Sequence, residues 1–156
     1  MITIAIIAIA AAIGIPSILS GKPLRELKAS TRDVFGDYMK ARSRAVARVR
    51  AHFVCMDIDN RRFWLEEGDQ PRAANCLCDR CDEASASRCT VVPDSEKDLR
   101  PTVSFQSVNS VTTGVVSEAF NTDGTAQAGN ATLINNRGQR FRVIISNTGR
   151  MQLQRL

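Results

Sequence analysis

The sequence predicts an α+β fold: one long N-terminal helix, hydrophobic in its first part, followed by a small antiparallel β-sheet or sandwich domain. Three observations carry this reading. The first twenty residues hold no charge, and the next thirty repeat apolar residues at helical spacing. Everything after about Ala51 is cut by turn residues into short β-prone runs. The chain therefore divides at residue 50, with helix over 1–50 and a β domain over 51–156.

With 156 residues, 44% hydrophobic and 24% charged, the chain can fill one packed domain. Aromatics are only 5%, so the core is expected to be aliphatic. The single histidine, His52, excludes a His-rich metal site and argues against a Ser-His-Asp catalyst. No Gly-rich phosphate loop and no G-x-S-x-G occurs. Asp57 and Asp59 stand at a predicted hairpin, where Asp is common for turn reasons. An enzyme is not expected, nor a cofactor, nor a small-molecule substrate.

Residues 1–20, MITIAIIAIAAAIGIPSILS, are apolar on every face. As a helix they span roughly 30 Å, about one hydrocarbon core. Ile2, Ile4, Ile6, Ile7, Ile9, Ile13 and Ile15 offer surface that lipid or other helices can cover, and Gly14 allows close approach. A signal peptide fits less well, because no basic n-region precedes the run and no A-x-A-like site ends it. A buried soluble helix is the remaining reading. Pro16 removes a backbone hydrogen bond, so a kink or local unwinding is expected near Gly14–Pro16. The nearest positive charges, Lys22, Arg25 and Lys28, follow the run. Taken literally, the positive-inside rule keeps the body in the cytoplasm.

From Pro23, which suits a first helical turn, Leu24, Leu27, Thr31, Val34, Tyr38, Ala41, Ala45 and Val49 recur at steps of 3 and 4. Arg25, Lys28, Arg32, Lys40, Arg44 and Arg50 lie off that face, and Gly36 is a soft spot. Charge runs in blocks: +6 over 22–50 (9 basic, 3 acidic), −4 over 51–100 (7 and 11) and +3 over 101–156 (5 and 2). The basic helical face reads as solvated surface, with attraction to lipid head groups or an anionic partner as the alternative.

In the β domain, residues 51–58 and 61–67 read as a hairpin about Asp59-Asn60. Trp64 belongs to the core. Residues 102–108, 113–120, 131–136 and 140–146 are further strands. Gly124, Gly138 and Gly149 close turns that tolerate positive φ. Residues 68–100 form a long acidic, cysteine-rich loop.

Helix, amphipathic continuation and small β body follow one another as in type IV pilin-like proteins. ITIAIIAIAAAIGIPS resembles the pilin helix motif ending in Ile-Pro-Ser, here Ile15-Pro16-Ser17. KARSRAVARVRAHFVCMDID, with Ala41-Arg42-Ser43 and Ala45, resembles the helix-to-strand passage of the GspH/FimT pseudopilins. The ending, with Phe120, Asp123-Gly124 and Thr148-Gly149-Arg150, is similar to that family too. The resemblance implies a minor pseudopilin or minor pilin of a type II secretion system or type IV pilus. Such a subunit is single-pass in the inner membrane, has its β body in the periplasm, and joins other pilin-like subunits through its N-terminal helix. The family's basic leader, its Gly-aromatic or Gly-Met junction and the Glu near the mature start are missing from this sequence. Met1 is therefore expected to fall inside a mature chain that begins upstream, and a basic leader there reverses the orientation argument.

The resemblance also implies a second function, DNA capture by a FimT-like basic surface. Arg137, Arg140, Arg142, Arg150 and Arg155 face only Glu118 and Asp123 over residues 101–156, and Arg can hold phosphates without reading sequence. Of the Gly-Arg-x-Arg tail of such DNA binders, only Gly149-Arg150 is matched, because Gln152 stands where the second Arg belongs.

Five cysteines occur, Cys55, Cys76, Cys78, Cys81 and Cys89. In the periplasm disulfides are the default, and they would staple the loop. Cys76, Cys78, Cys81 and Cys89 can alternatively supply four thiolates to zinc, though without the paired C-x2-C modules of zinc ribbons. Free or redox-active thiols are the third reading. Four loop cysteines allow three pairings, and Cys55 can displace any of them.

Overall fold

The computed structural model describes the backbone of residues 2–68 and 89–156 and the side chains of 21–68 and 89–156. Cys76, Cys78 and Cys81 lie outside the described residues.

Helix α1 (Ile2–Arg48) runs for 47 residues without interruption. It stays helical through Gly14–Pro16, where the sequence led to an expectation of local unwinding. It also stays helical through Pro23, which therefore lies inside the helix instead of opening it. The predicted face is the buried one: Leu27, Thr31, Val34, Tyr38, Ala41 and Ala45 have no exposed surface, and Leu24 packs at the margin. Arg25, Lys28, Arg32 and Lys40 are exposed. Val49 departs from the pattern. It is 66% exposed at φ 53, just beyond the helix end, so the turn into the first strand swings it off the face.

Among the described residues, nine antiparallel strands form two sheets. The first contains β1 (His52–Asp57), β2 (Arg62–Gly68), β3 (Cys89–Val91), β4 (Lys97–Asp98) and β6 (Val115–Phe120). Strand β1 is central between β2 and β6, and β2 also pairs with β3 and β4. The second sheet has the order β5 (Val103–Val108), β7 (Gly129–Asn135), β8 (Arg140–Ile145), β9 (Met151–Arg155). Six strands match the sequence reading. The additions are β3 and β4 within the expected loop 68–100, and β9 at the C-terminal end.

Both sheets pack on α1. Val54, Met56, Phe63, Leu65 and Phe120 of the first and Val103, Leu133, Phe141, Val143 and Ile145 of the second join the helix residues in one core. Phe63 meets Phe105 edge-on across the sheets, with centroids 6.5 Å apart. A smaller cluster of Ala51, Phe53, Cys55, Trp64 and Ala119 fills the opposite face of the first sheet, so Trp64 is a core residue.

Polar contacts index the body along the helix axis. Thr102 Oγ1 donates to Glu26 Oε2 at 2.5 Å, and Ser30 Oγ accepts the Arg100 N–H at 3.3 Å. One to two turns on, Lys97 Nζ grips both oxygens of buried Asp37 at 2.7 and 2.8 Å. Arg42 Nε donates to Gly124 O at 3.2 Å, and Arg48 reaches Glu67 at 2.6 Å. Residues 100–102 thus lie at the level of the helix nearest the apolar segment. Gly124 lies about 24 Å further along, sixteen residues at 1.5 Å each.

Candidate functional site

The assembly residues expected from sequence, Ile2 through Pro16, have side chains outside the described residues. Among the described residues no helix is long and apolar enough to cross a membrane. The first described side chains on α1 are basic. Lys22 is exposed and paired with Glu26 at 3.7 Å, and the Arg25 guanidinium folds back toward Gly21, in the direction of the apolar run.

The five tail arginines do not share one place. On β8, Phe141, Val143 and Ile145 face the core, so Arg140 and Arg142 project from the opposite face. Arg142 Nε donates to Thr132 Oγ1 at 3.2 Å. Arg155 pairs with Phe141 in the β8–β9 register, and Arg137 sits in the β7–β8 turn, so both lie near Arg140. Arg150 belongs to the β8–β9 turn at the far end of β8, roughly 20 Å away for a six-residue strand. No Asp or Glu occurs after Asp123.

That far end holds a constellation that sequence reasoning saw only as turn glycines. Gly124 at φ 79 and Gly149 at φ 72 bring two turns into backbone contact, where a Cβ on Gly149 would strike the Gly124 carbonyl. The Ala126 N–H donates to Asn147 O at 3.1 Å, and Arg42 closes the group from the helix through Gly124 O. The arginine of Ala41-Arg42-Ser43 is thus a tie between α1 and the β6–β7 turn. Arg42→Ala is expected to cost about 1–2 kcal/mol, one charge-assisted hydrogen bond, read as a lower midpoint in urea unfolding.

A second feature missed from sequence lies where α1 meets both sheets. Glu118 on β6 is fully buried, and neither carboxyl oxygen has a hydrogen bond of good geometry. Burial pushes its pKa up to about 7, while the facing Tyr38 hydroxyl and Asn109 amide pull the other way. Tyr38 Oη lies 3.4 Å from Met56 Sδ, and its own pKa is raised by burial and by Glu118. A Cβ on Gly129 would run into Glu118 Oε1 and Asn109 Oδ1, so that glycine makes room for the carboxyl. The signal in the sequence was an acid within the largely apolar run of β6. Glu66 is a parallel case on the outer face of the first sheet, held by the Trp64 indole N–H at 2.7 Å and raised by burial.

Cys55 is wholly buried in the Trp64 cluster, Cys89 opens β3, and both are disulfide-bonded. Among the described residues no three His, Cys, Asp or Glu side chains gather to hold a metal ion.

The model of the family described as "Type II transport protein GspH" matches residues 30–149. The chain belongs to the GspH family. No curated protein sequence matches it. Among solved structures, this GspH-family chain is similar to the minor pseudopilin EpsH of the Vibrio cholerae type 2 secretion system. That match has a TM-score of 0.61 at 12% identity and covers 83% of this chain and 97% of that one. It is also similar to the type IV minor pilin FimU of Pseudomonas aeruginosa, with a TM-score of 0.57 at 19% identity, covering 83% and 89%. At these identities the likeness establishes the shared fold, a helix followed by antiparallel sheets. The family match takes in Arg42, Glu118, Gly124 and Gly149, and it begins beyond the apolar segment.

Proposed function

We propose that this GspH-family chain is a minor pseudopilin or pilin-like subunit. It is anchored in the inner membrane by residues 1–20, has its β body in the periplasm, and assembles through α1 into a type II secretion pseudopilus or type IV pilus. The observation that carries the reading is the family match over residues 30–149. It is supported by the continuity of α1: the helix that the sheets cover from Leu24 to Ala45 runs back without a break into twenty uncharged residues. Lipid and neighbouring helices satisfy such a surface equally well, so the subunit can leave the bilayer when other subunits supply equivalent packing. No catalytic residue is required. The full chain expressed in its host is expected to sediment with inner membranes, resist alkaline extraction and dissolve in detergent. Protease added to spheroplasts is expected to digest its body. Recovery in a soluble fraction would contradict the reading.

The cysteine-rich loop is read as stapled to the first sheet by disulfides, with Cys76, Cys78 and Cys81 as further members, rather than as a zinc site. Two bonds among five cysteines leave one free thiol. Thiol titration of the denatured, unreduced chain is expected to find one, and a titre of five would remove the staple.

DNA capture is the second reading, favoured by the cluster of Arg137, Arg140, Arg142 and Arg155. Against it, Arg150, the residue that carries the likeness to a DNA-binding tail, stands at the other end of β8. Unchanged duplex mobility in a low-salt gel shift would retire it.

A further inference from the structure

We propose that the end of the second sheet nearest the apolar segment is a docking surface for anionic lipid head groups, which holds the β body upright on the membrane. This rests on the reading of residues 1–20 as a membrane segment.

The placement follows from a chain of contacts. Glu26 is six residues past the uncharged run, roughly 9 Å along the helix. Thr102 is fastened to it, and Thr102 O accepts the Asn136 N–H at 3.1 Å. The β7–β8 turn, with Arg137 at its tip and Arg140 just after it, is thereby held at the level of Lys22 and Arg25. Arg155 joins them, because Leu156 N–H donates to Arg140 O at 3.1 Å. Between the turn and Arg61 runs a groove of about 300 Å³ with a mixed lining, in which Arg61, Thr102, Ser104, Asn135 and Asn136 stand beside Pro101 and Val103. The Thr102 hydroxyl is given to Glu26 and the Asn135 amide to Gln139, which leaves Ser104, Asn136 and Arg61 to supply hydroxyl, amide and guanidinium donors of the kind that hold a phosphodiester.

Among the described residues, each carboxylate at this end has a hydrogen-bond partner. Glu26 is held by Lys22 and Thr102, Asp57 by Asn60, and Asp59 by the Gly114 N–H at 2.8 Å. Those three carboxylates keep their charge, but Lys22, Arg25, Arg137, Arg140 and Arg155 outnumber them, so the described residues at this end are net positive within about a Debye length of the bilayer surface. Arg42 and the Arg150 turn, by contrast, stand roughly 33 Å beyond the run, outside the reach of that field. A lipid surface is favoured over a nucleic acid because the cations converge on the membrane-facing end instead of forming a track along the sheet, and no aromatic side chain is interleaved among them.

The test uses the full chain in nanodiscs that carry a trace of gadolinium-headgroup lipid, comparing phosphatidylglycerol-rich with pure phosphatidylcholine bilayers. The amide signals of Gly138 and Gln139 are expected to broaden strongly in the anionic bilayer and weakly in the neutral one. Thr148 and Gly149 are expected to keep their intensity in both. Raising the salt to about 0.5 M should restore the signals. Arg137→Gln and Arg140→Gln should each lower the docked population about fivefold. Both side chains are exposed, and unchanged urea midpoints of the two variants separate lost docking from lost fold. Equal broadening of both turns, or no dependence on head-group charge, would overturn the proposal while leaving the anchor intact. Stronger binding of duplex DNA than of anionic lipid to the same residues would overturn it in favour of a nucleic-acid surface. A chain that enters neither nanodisc removes the anchor, and the docking surface with it.

Discussion

Gly149→Ala is expected to destabilise the body by about 3 kcal/mol, and Gly138→Ala by only about 1 kcal/mol, although both glycines have the same backbone conformation. Each sits at positive φ, 72 and 76, where an L side chain costs about 1 kcal/mol. The difference is what the new methyl meets. Nothing lies within 4 Å of a Cβ on Gly138, whereas one on Gly149 strikes the Gly124 carbonyl, a backbone group that cannot swing aside. Relieving such overpacking costs a further 1–3 kcal/mol or so, and it separates the two turns that Arg42 ties to the helix. Urea unfolding of the two variants in the same detergent checks this. Equal losses would mean that the turns do not make the close approach. The glycine that brings out the family likeness at Thr148-Gly149-Arg150 is thus required by the crossing of two turns, independently of any ligand.

Glu118→Gln is expected to raise stability at pH 8 by about 2–3 kcal/mol and to leave it unchanged near pH 4. The carboxyl has a pKa of about 7 in the folded chain against an ordinary 4.5, because burial disfavours its charge. Between those values the folded state keeps a proton that the unfolded state has lost, so stability falls as pH rises through that window. The stabilising contribution is complete below about pH 4.5 and gone above about pH 7. Glutamine is neutral throughout and fits the space that Gly129 leaves. Glu66, also raised by burial, slopes the same way. His52, lowered by burial, weakens the fold as pH falls through its own range. The difference between parent and variant isolates Glu118, and parallel pH profiles would show that this carboxyl does not titrate with folding.

Much of the architecture was legible because two periodicities are clean. Leu27 through Ala45 keep a 3.6-residue repeat that reads directly as a buried face, and six strands carry alternation bounded by Gly or Asn turns. What escaped lacks those signals. Strand β9 is exposed on both faces apart from Met151 and exists through its pairing with β8, so MQLQR shows no inward stripe. Strands β3 and β4 have 3 and 2 residues and gain order only from β2. Pro23 resembled a helix start because the composition changes there, yet the backbone continues through it. Of the candidate site, the basic residues were visible but their division was not. Which arginine lies near which end of α1 is decided by Thr102 and Gly124, contacts separated by 76 and 82 residues in sequence. Glu118 looked like an ordinary acid, since its burial depends on three elements closing over it.

The account turns on residues 1–20 serving as the shared contact between subunits. A photo-crosslinking residue at Ile9 or Ile13, in the full chain expressed with its secretion or pilus system, tests this most directly. The account predicts covalent adducts with the N-terminal helices of other pilin-like subunits, seen only in the membrane and filament fractions. A chain that forms no adducts and is recovered as a water-soluble monomer without detergent would contradict it.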